Sequence, residues 1–235
     1  MKETIIGSLE MFHKKLSTYR KSGSCKFRGH SDTDWELIPK AGRAPYSNVK
    51  DDEAFRHWKR RAIPQLKKEL NTDWELLAIA QHTGLPTRFL DWTHNPLTAA
   101  FFATIDCPDK DGAIYVYKPI SFVDVVSNKS PFRPGMDKIA IEFYQPSASS
   151  ERIANQLGYF SVHYNPEIAL DDETNNGILE KLVIPTSIKS DLMFMLHQYG
   201  VNYLSLFPDL EGLSKHLCWF AENHGYWDGG FVDEV

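Results

Sequence analysis

The residues best suited to chemistry are concentrated in one stretch, Gln81 to Ala103, where reactive polar side chains stand between large apolar ones. Gly84 and Pro86 interrupt its first part, and a proline disfavours helical dihedrals in the preceding residue, so a helix should end here. The next segment, 89–93, is a short apolar run that contains one carboxylate and one hydroxyl. This pattern is typical of a buried strand that ends at a cleft.

The corner after this strand gathers groups that bind anionic ligands. Thr93 or Asn95 can cap a following helix and Pro96 suits its first turn, so free backbone N–H groups and the positive end of the helix dipole share one loop. The polar residues of this corner are Arg88, Asp91, Thr93, His94 and Asn95. Together they predict a site for an anionic or nucleotide-like ligand.

A purely structural role would explain each of these residues singly. Asp91 and Thr93 would cap the helix, Trp92 would belong to the core, and Arg88 would pair with Asp91. The density of unusual polar types favours the ligand site. In either case we expect Asp91 to hold Arg88, and we expect Arg88 to contribute more to ligand binding than to folding.

Two other segments place polar residues at the ends of predicted strands. Arg28 ends an early strand, and Gly29 is predicted to release the chain into a turn. Arg152 and Gln156 are four residues apart and share one face if their segment is helical. We therefore predict a single cleft formed by Arg28, Gln81, His82, Arg88, Asp91, Thr93, Arg152 and Gln156.

Composition narrows the class of protein. A net charge of −5 and a pI near 6.0 disfavour a large nucleic-acid-binding face. The cysteines at 25, 107 and 218 show neither disulfide-framework nor metal spacing, and no HExxH motif occurs, so no metal is expected. The sequence lacks a signal-peptide core and any apolar run of membrane length. A cytoplasmic protein without membrane contact is predicted, and its oligomeric state is left open.

Periodicity along the chain predicts an α+β fold. Helices are expected at 5–19, 51–70 with a kink at Pro64, 187–199 and 213–220, and aromatic or β-branched runs at 113–117, 139–143, 159–163 and 179–184 predict strands. The result is a single domain with a mixed, mainly antiparallel sheet flanked by helices. Its predicted organisation is an N-terminal helix in 1–24, a central domain in 25–218 and a tail in 219–235.

Three motifs also resemble a known family. They are QHTGLPTRFLDWTHNPLTAAFFA at 81–103, Phe27-Arg28-Gly29-His30, and the segment LFPDLEGL at 206–213. They closely resemble the FRG domain, a bacterial and phage family named after its Phe-Arg-Gly motif. The resemblance extends over roughly residues 25 to 218 and implies a role in a bacterial or phage conflict setting, such as phage defence or toxin action, without fixing a reaction.

The order of the polar motifs is further similar to ADP-ribosyltransferases of the Arg-Ser-Glu type. That resemblance implies that Arg28 meets the phosphates of NAD, that Asp91 or Thr93 occupies the serine position, and that Glu151 is the late carboxylate. It also implies an ADP-ribosyltransferase-like fold. The chain has no Glu-x-Glu or Gln-x-Glu pair, so Asp91 can fill the role of the carboxylate instead, with Gln156 orienting a ribose hydroxyl.

The predicted function is therefore glycosyl transfer from NAD, bound as a substrate, to a protein or nucleic-acid acceptor or to water. The predicted catalytic residues are Asp91, Glu151, Gln156 and His82; the predicted cofactor contacts are Arg28, Gln81, Arg88, Trp92, Thr93, Asn95, Arg152 and Phe160. Two alternatives remain. The domain could sense a nucleotide without turnover, or it could be a nuclease or hydrolase that uses His82 and Asp91.

Overall fold

The structure, a computed structural model, describes residues 1–66, 72–133, 140–146, 158–170 and 177–224. Seven strands form one sheet: β1 (Lys2–Ile5), β2 (Lys26–His30), β3 (Phe89–Thr93), β4 (Gly112–Lys118), β5 (Ile141–Tyr144), β6 (Gly158–His163) and β7 (Ile178–Ile184). Their order is β1-β7-β4-β2-β3-β6-β5. The β1–β7 pair is parallel and the other neighbouring strands are antiparallel, which confirms the predicted mixed, mainly antiparallel sheet.

Helices cover one face of this sheet. Those in the described residues are α1 (Leu9–Ser17), α2 (Asp51–Ala62), α3 (Asp73–His82), α4 (Pro96–Thr104), α5 (Thr186–Gln198), α6 (Tyr203–Leu206) and α7 (Leu210–His224). Short 3-10 turns at Lys40–Gly42 and Ile63–Gln65 complete the helical elements of this part of the chain. The second of these turns contains Pro64, at the predicted break in the helix. The seven-stranded sheet and the helices on it confirm the prediction of an α+β fold in a single domain.

Local capping explains where the helices next to the central stretch begin and end. The side chain of Thr72 accepts a hydrogen bond from the N–H of Glu75 at the start of α3, and Gly84, with φ +95°, follows the end of that helix. Asn95 caps α4 by accepting from the N–H of Leu97, and Pro96 is its first residue. The predicted order of helix, turn, buried strand and helix is confirmed.

The core lies on both faces of the sheet. On the helical face, one group of helices (α1, α4 and α5) packs on β7, β4 and β2, and a second group (α2 and α3) packs on β3, β5 and β6. On the opposite face, an aromatic layer that includes Trp92, Tyr115 and Tyr117 is covered by Leu37 and Leu170 from connecting segments. The boundary between the two groups of helices lies above the junction of β2 and β3.

This junction, which we call the seam, is the weakest pairing within the sheet. β2 pairs with β4 along its whole length, and β3 pairs with β6 along its whole length. Between β2 and β3, however, only Phe27 and Thr93 are in register. The strands diverge on one side of that pair, and the seam opens toward the space between α3 and α4.

Two glycines bring α4 close to the sheet. A Cβ atom added to Gly29 would lie 2.0 Å from the carbonyl oxygen of Ala99, and one added to Gly112 would lie 2.2 Å from that of Ala103. The backbone of α4 therefore rests directly on β2 and β4. The prediction that Gly29 releases the chain into a turn is wrong, because β2 continues through Gly29 to His30.

The N-terminal segment also differs from its prediction. Lys2–Ile5 is a strand that pairs with β7, so the first helix begins at Leu9, after the N-cap Ser8, and not at Ile5. Ile5 fits the helical spacing of the apolar residues that follow it, although it belongs to a strand. Over so few residues, the apolar pattern does not distinguish a helix from an edge strand. No helix in the described part of the chain is both long enough and apolar enough to cross a membrane.

Candidate functional site

A cavity of about 310 Å³ lies at the seam between the two groups of helices. Its floor comes from β2, β3 and β6, and its walls come from the end of α3 and from α4. The lining residues are Phe27, Arg28, Gly29, Gln81, His82, Asp91, Trp92, Thr93, Thr98, Phe102, Gly158, Tyr159 and Phe160. Its volume is at the lower end of the range for small-molecule sites, about 300 to 1,000 Å³.

Asp91 is the carboxylate of this cavity. Its side chain is 60% exposed, in the middle of a strand whose other residues are buried. The side-chain amide of Gln81 donates a hydrogen bond to Oδ2 over 2.9 Å, and Nη1 of Arg28 lies 3.8 Å from the same oxygen. Oδ1 forms no hydrogen bond with a described residue. One carboxylate oxygen is therefore held and the other is available to a ligand.

Arg28 spans the seam. Its Nη1 donates to the backbone carbonyl of Asp91 over 2.6 Å, and its Nε donates to Nε2 of His30 over 2.8 Å. Nη2 has no hydrogen-bond partner in the described residues. Burial, together with the positive charge of Arg43, lowers the pKa of Arg28 to about 10, so the guanidinium stays charged at neutral pH. It is a fixed cation with donors left for an anionic or carbonyl group.

His30 acts as a neutral support for this arginine. A guanidinium has no lone pair to offer, so Nε2 of His30 must accept, and Nδ1 then carries the proton and donates to the carbonyl of Trp35 over 3.1 Å. Burial and the adjacent charge of Arg28 lower the pKa of His30 to about 2. His30 therefore orients Arg28 and takes no proton near neutral pH.

The ring of Trp92, one of the aromatic residues that line the cavity, is fixed by a buried chain of hydrogen bonds. Nε1 of Trp92 donates to Oγ of Ser161 over 3.0 Å, and Ser161 lies 3.1 Å from Nε2 of His163, whose Nδ1 is 2.8 Å from the carbonyl of Ile168. Burial lowers the pKa of His163 to about 4, so this imidazole is neutral. Ser161 and His163 are both fully buried, so the pair orients Trp92 and is not a nucleophile with its base.

Tyr159 forms the other aromatic side of the cavity and is backed by a buried cation. Nζ of Lys26 lies 4.2 Å from the centre of the Tyr159 ring, and Lys26 is only 3% exposed. Burial lowers the pKa of Lys26. Together with the buried rings of Trp92 and Phe160, this partly buried ring makes the lining of the cavity aromatic.

The structure brings together seven of the predicted site residues. Arg28, Gln81, His82, Asp91, Trp92, Thr93 and Phe160 all line the cavity. Thr93 is 6% exposed and its Oγ1 accepts the N–H of Asn95 over 3.0 Å, so it also shapes the turn into α4. His82, in the last turn of α3, is at the cavity wall and only partly buried.

Arg88 does not join them. Its Nε and Nη2 donate to the two carboxylate oxygens of Asp51 over 2.8 and 2.6 Å, and its Nη1 donates to the carbonyl of Tyr164. The guanidinium also lies 4.7 Å from the ring centre of Phe132. The prediction that Asp91 holds Arg88 is wrong, because residues three apart in extended backbone project to opposite faces.

Other predicted contacts are placed differently or lie outside the described residues. Asn95 does not line the cavity, since its side chain is the N-cap of α4. Glu151, Arg152 and Gln156 fall outside the described residues. The sequence did not single out Thr98 and Phe102, although their spacing of four on α4 places both on the face that meets the cavity.

Metal chemistry has no visible centre in this part of the chain. Within the described ranges, no three His, Cys, Asp or Glu side chains are grouped so that they could hold a metal ion. The described cavity instead offers one carboxylate, one fixed guanidinium, an amide, an imidazole and aromatic surfaces. The guanidinium can bind an anionic group, and the carboxylate can stabilise a developing positive charge.

The comparisons with known proteins agree with the motif evidence. The model of the FRG domain matches residues 23–112, which confirms the predicted resemblance to that family over this part of the chain. The match contains every cavity residue except Gly158, Tyr159 and Phe160. The wider predicted extent, to residue 218, remains a prediction. No curated protein and no solved structure matched the chain.

Proposed function

We propose that this protein cleaves the nicotinamide–ribose bond of NAD and transfers ADP-ribose to an acceptor or to water. The observation that carries the proposal is the exposed carboxylate of Asp91, held by Gln81 beside the fixed guanidinium of Arg28, in a cavity with an aromatic lining. Cleavage of the glycosidic bond of NAD uses a carboxylate to stabilise positive charge, and a guanidinium can hold the phosphates.

The charge changes of the reaction match the site. As the bond between C1′ and the pyridinium nitrogen breaks, its electron pair neutralises the ring and positive charge develops on the ribose. A carboxylate in a partly desolvated cavity stabilises that charge. The acceptor then bonds to C1′ and must lose a proton, for which His82, on the same wall, is our candidate base.

The remaining lining residues suit the parts of the substrate. Tyr159, a partly buried ring of the lining, is our candidate surface for the nicotinamide ring. Nη2 of Arg28, which forms no hydrogen bond with a described residue, is placed to bind a phosphate or ribose oxygen. A cavity of about 310 Å³ suits one half of a dinucleotide, so the adenosine half would extend beyond it. Glu151, Arg152 and Gln156, which precede the wall residue Gly158, are proposed to complete the site.

The test is the release of nicotinamide from NAD by the wild type and by Asp91→Asn. We expect the substitution to reduce turnover by roughly 10²- to 10³-fold, the usual scale for removing one electrostatic stabiliser. Folding should be unchanged, because the side chain is 60% exposed. Asp34→Asn is the matched control, since that side chain is 79% exposed and lies outside the cavity. Equal turnover by wild type and Asp91→Asn would refute the role of Asp91.

A nucleotide sensor is the second candidate, and one observation favours it. The carboxylate of Asp91 has a cationic neighbour, Arg28, within the protein itself, as in many binding sites. A sensor would be stabilised by NAD or another nucleotide in a thermal melt without releasing nicotinamide. An NAD-dependent rise in melting temperature without turnover would therefore support the sensor and refute the enzyme.

The hydrolase or nuclease alternative rests on His82 and Asp91 lining the same cavity. It predicts cleavage of a phosphodiester or another ester in place of NAD. Assays of RNA and single-stranded DNA alongside NAD distinguish the two reactions.

The conflict setting, in which the protein acts as a toxin or in phage defence, is part of the proposed function and rests on the family resemblance.

A further inference from the structure

A buried hydroxyl lies directly behind the carboxylate of the cavity. Oγ1 of Thr87 donates to Oε1 of Gln81 over 2.6 Å, and Nε2 of Gln81 donates to Oδ2 of Asp91 over 2.9 Å. The N–H of Phe89 donates to the same Thr87 oxygen over 3.1 Å. These contacts form one chain of hydrogen bonds from the backbone of β3 to the cavity.

The direction of this chain follows from the number of protons available. The N–H of Phe89 can only donate, so it occupies a lone pair of Thr87 Oγ1. The single hydroxyl proton of Thr87 then goes to Gln81, whose oxygen must face Thr87. The NH₂ group of Gln81 is thereby turned toward Asp91, and the opposite orientation would set an amide oxygen against a carboxylate.

The starting point of the chain is rigid. Thr87 is 1% exposed, and its carbonyl accepts the N–H of Ala41 over 3.1 Å. The next residue, Arg88, is held on both carboxylate oxygens of the partly buried Asp51. Gln81 itself is in the last turn of α3. A hydroxyl on this fixed backbone therefore determines where the amide of Gln81 sits.

We propose that Thr87 is a positioning residue, which acts through Gln81 to hold the carboxylate of Asp91 in one orientation and leaves Oδ1 for the ligand. This inference rests on the proposed function, because it concerns the same carboxylate. Without the hydroxyl proton, the amide of Gln81 loses its anchor, and Asp91 samples orientations in which its charge is misplaced relative to C1′.

The kinetic test compares Thr87→Val, which keeps the shape and removes the hydroxyl, with Thr87→Ser, which keeps the hydroxyl. We expect Thr87→Val to lower kcat for nicotinamide release by about 10- to 100-fold, because small misplacements of a catalytic group have effects on this scale. KM should change by less than about 2-fold, since substrate contacts remain. Thr87→Ser should restore most of the kcat.

A role in folding alone would give a different result. It would lower the yield or the melting temperature of Thr87→Val while kcat per folded molecule stayed at the wild-type value. That outcome overturns the proposal, and so does a Thr87→Ser variant as slow as Thr87→Val.

A second measurement needs neither NAD nor a stable Thr87→Val protein. In the wild type, the side-chain NH₂ protons of Gln81 should exchange with solvent at least about 10-fold more slowly than those of the exposed Gln65, because both ends of the Gln81 amide are engaged. Thr87→Ser should retain this protection. Equal exchange at Gln81 and Gln65 overturns the positioning role. Absence of NAD turnover with a protected Gln81 overturns the proposed reaction alone.

Discussion

Arg88 and Asp91 show how side-chain direction decides the role of a charged residue. Both belong to the motif that first suggested a ligand site, yet Asp91 opens into the cavity and Arg88 is 6% exposed beside Asp51. Their separation of three residues places them on opposite faces of extended backbone. The arginine therefore fastens α2 to the start of β3, and the carboxylate is left for chemistry.

We expect Arg88→Lys to reduce the free energy of unfolding by about 2 kcal/mol or more, because a lysine cannot reproduce the paired hydrogen bonds of a buried guanidinium. Ligand affinity should stay unchanged, which reverses the expectation from sequence. Urea unfolding and titration calorimetry measure the two quantities. Arg56→Lys, on an exposed pair with Asp52, is the matched control and should cost less than about 0.5 kcal/mol. A loss of ligand affinity without a loss of stability would show that Arg88 contributes to ligand binding and would contradict its structural role.

The types of the cavity residues could be predicted from sequence better than their connections. Arg28, Gln81 and Asp91 stand out because polar residues at the ends or middle of apolar runs need a reason. Thr87 does not stand out, since threonine is common in strands and its role depends on a hydrogen bond across a turn. Asp51, the true partner of Arg88, is 37 residues away, and no local pattern joins them.

At the scale of elements, α4 and the glycines beneath it define the cavity. The helix lies so close to β2 that any side chain at position 29 would clash with the backbone of α4. This closeness brings Thr98 and Phe102 to the cavity wall. Sequence could predict α4, with its cap and its apolar composition, almost to the residue. It could not tell a glycine that permits close packing from one that ends a strand, because both occur beside polar residues.

Gly29→Ala tests the close approach. The added methyl group would lie 2.0 Å from the carbonyl oxygen of Ala99, so α4 must shift. We expect the free energy of unfolding to fall by about 2 kcal/mol or more, which is the usual scale for overpacking. The affinity for the ligand should fall as well. Gly7→Ala is the control, because a Cβ at position 7 meets nothing within 4 Å. If both variants melt at the wild-type temperature, the packing of α4 on β2 is looser than described.

At the scale of the whole molecule, two buried histidines couple stability to pH. Burial lowers the pKa of His30 to about 2 and that of His163 to about 4, whereas both take up protons near pH 6.5 in the unfolded chain. As the pH falls below about 6.5, the unfolded state binds protons that the folded state does not. Acid therefore destabilises the fold through these two residues.

We expect the free energy of unfolding to fall by about 3 kcal/mol between about pH 7.5 and pH 5.5, with about 1.4 kcal/mol from each histidine, because both take up a proton near pH 6.5 in the unfolded chain and stay neutral in the fold. Urea titrations at three or more pH values measure the slope. NMR titration of the ring protons identifies the groups: His163 should keep its neutral signal down to about pH 5. A midpoint near pH 6.5 for His163 would show that its environment is wetter than its burial indicates.

The seam also determines the cooperativity of unfolding. The sheet consists of two ladders, β1-β7-β4-β2 and β3-β6-β5, that share the single pair of Phe27 and Thr93. Within a ladder, losing one strand removes the hydrogen-bond partners of the next, so each ladder melts as a unit. Between the ladders, coupling passes through α4, which packs on both β2 and β3, and through the bond from Arg28 to the carbonyl of Asp91. Residues that line the cavity thus also decide whether the protein unfolds in one step or in two.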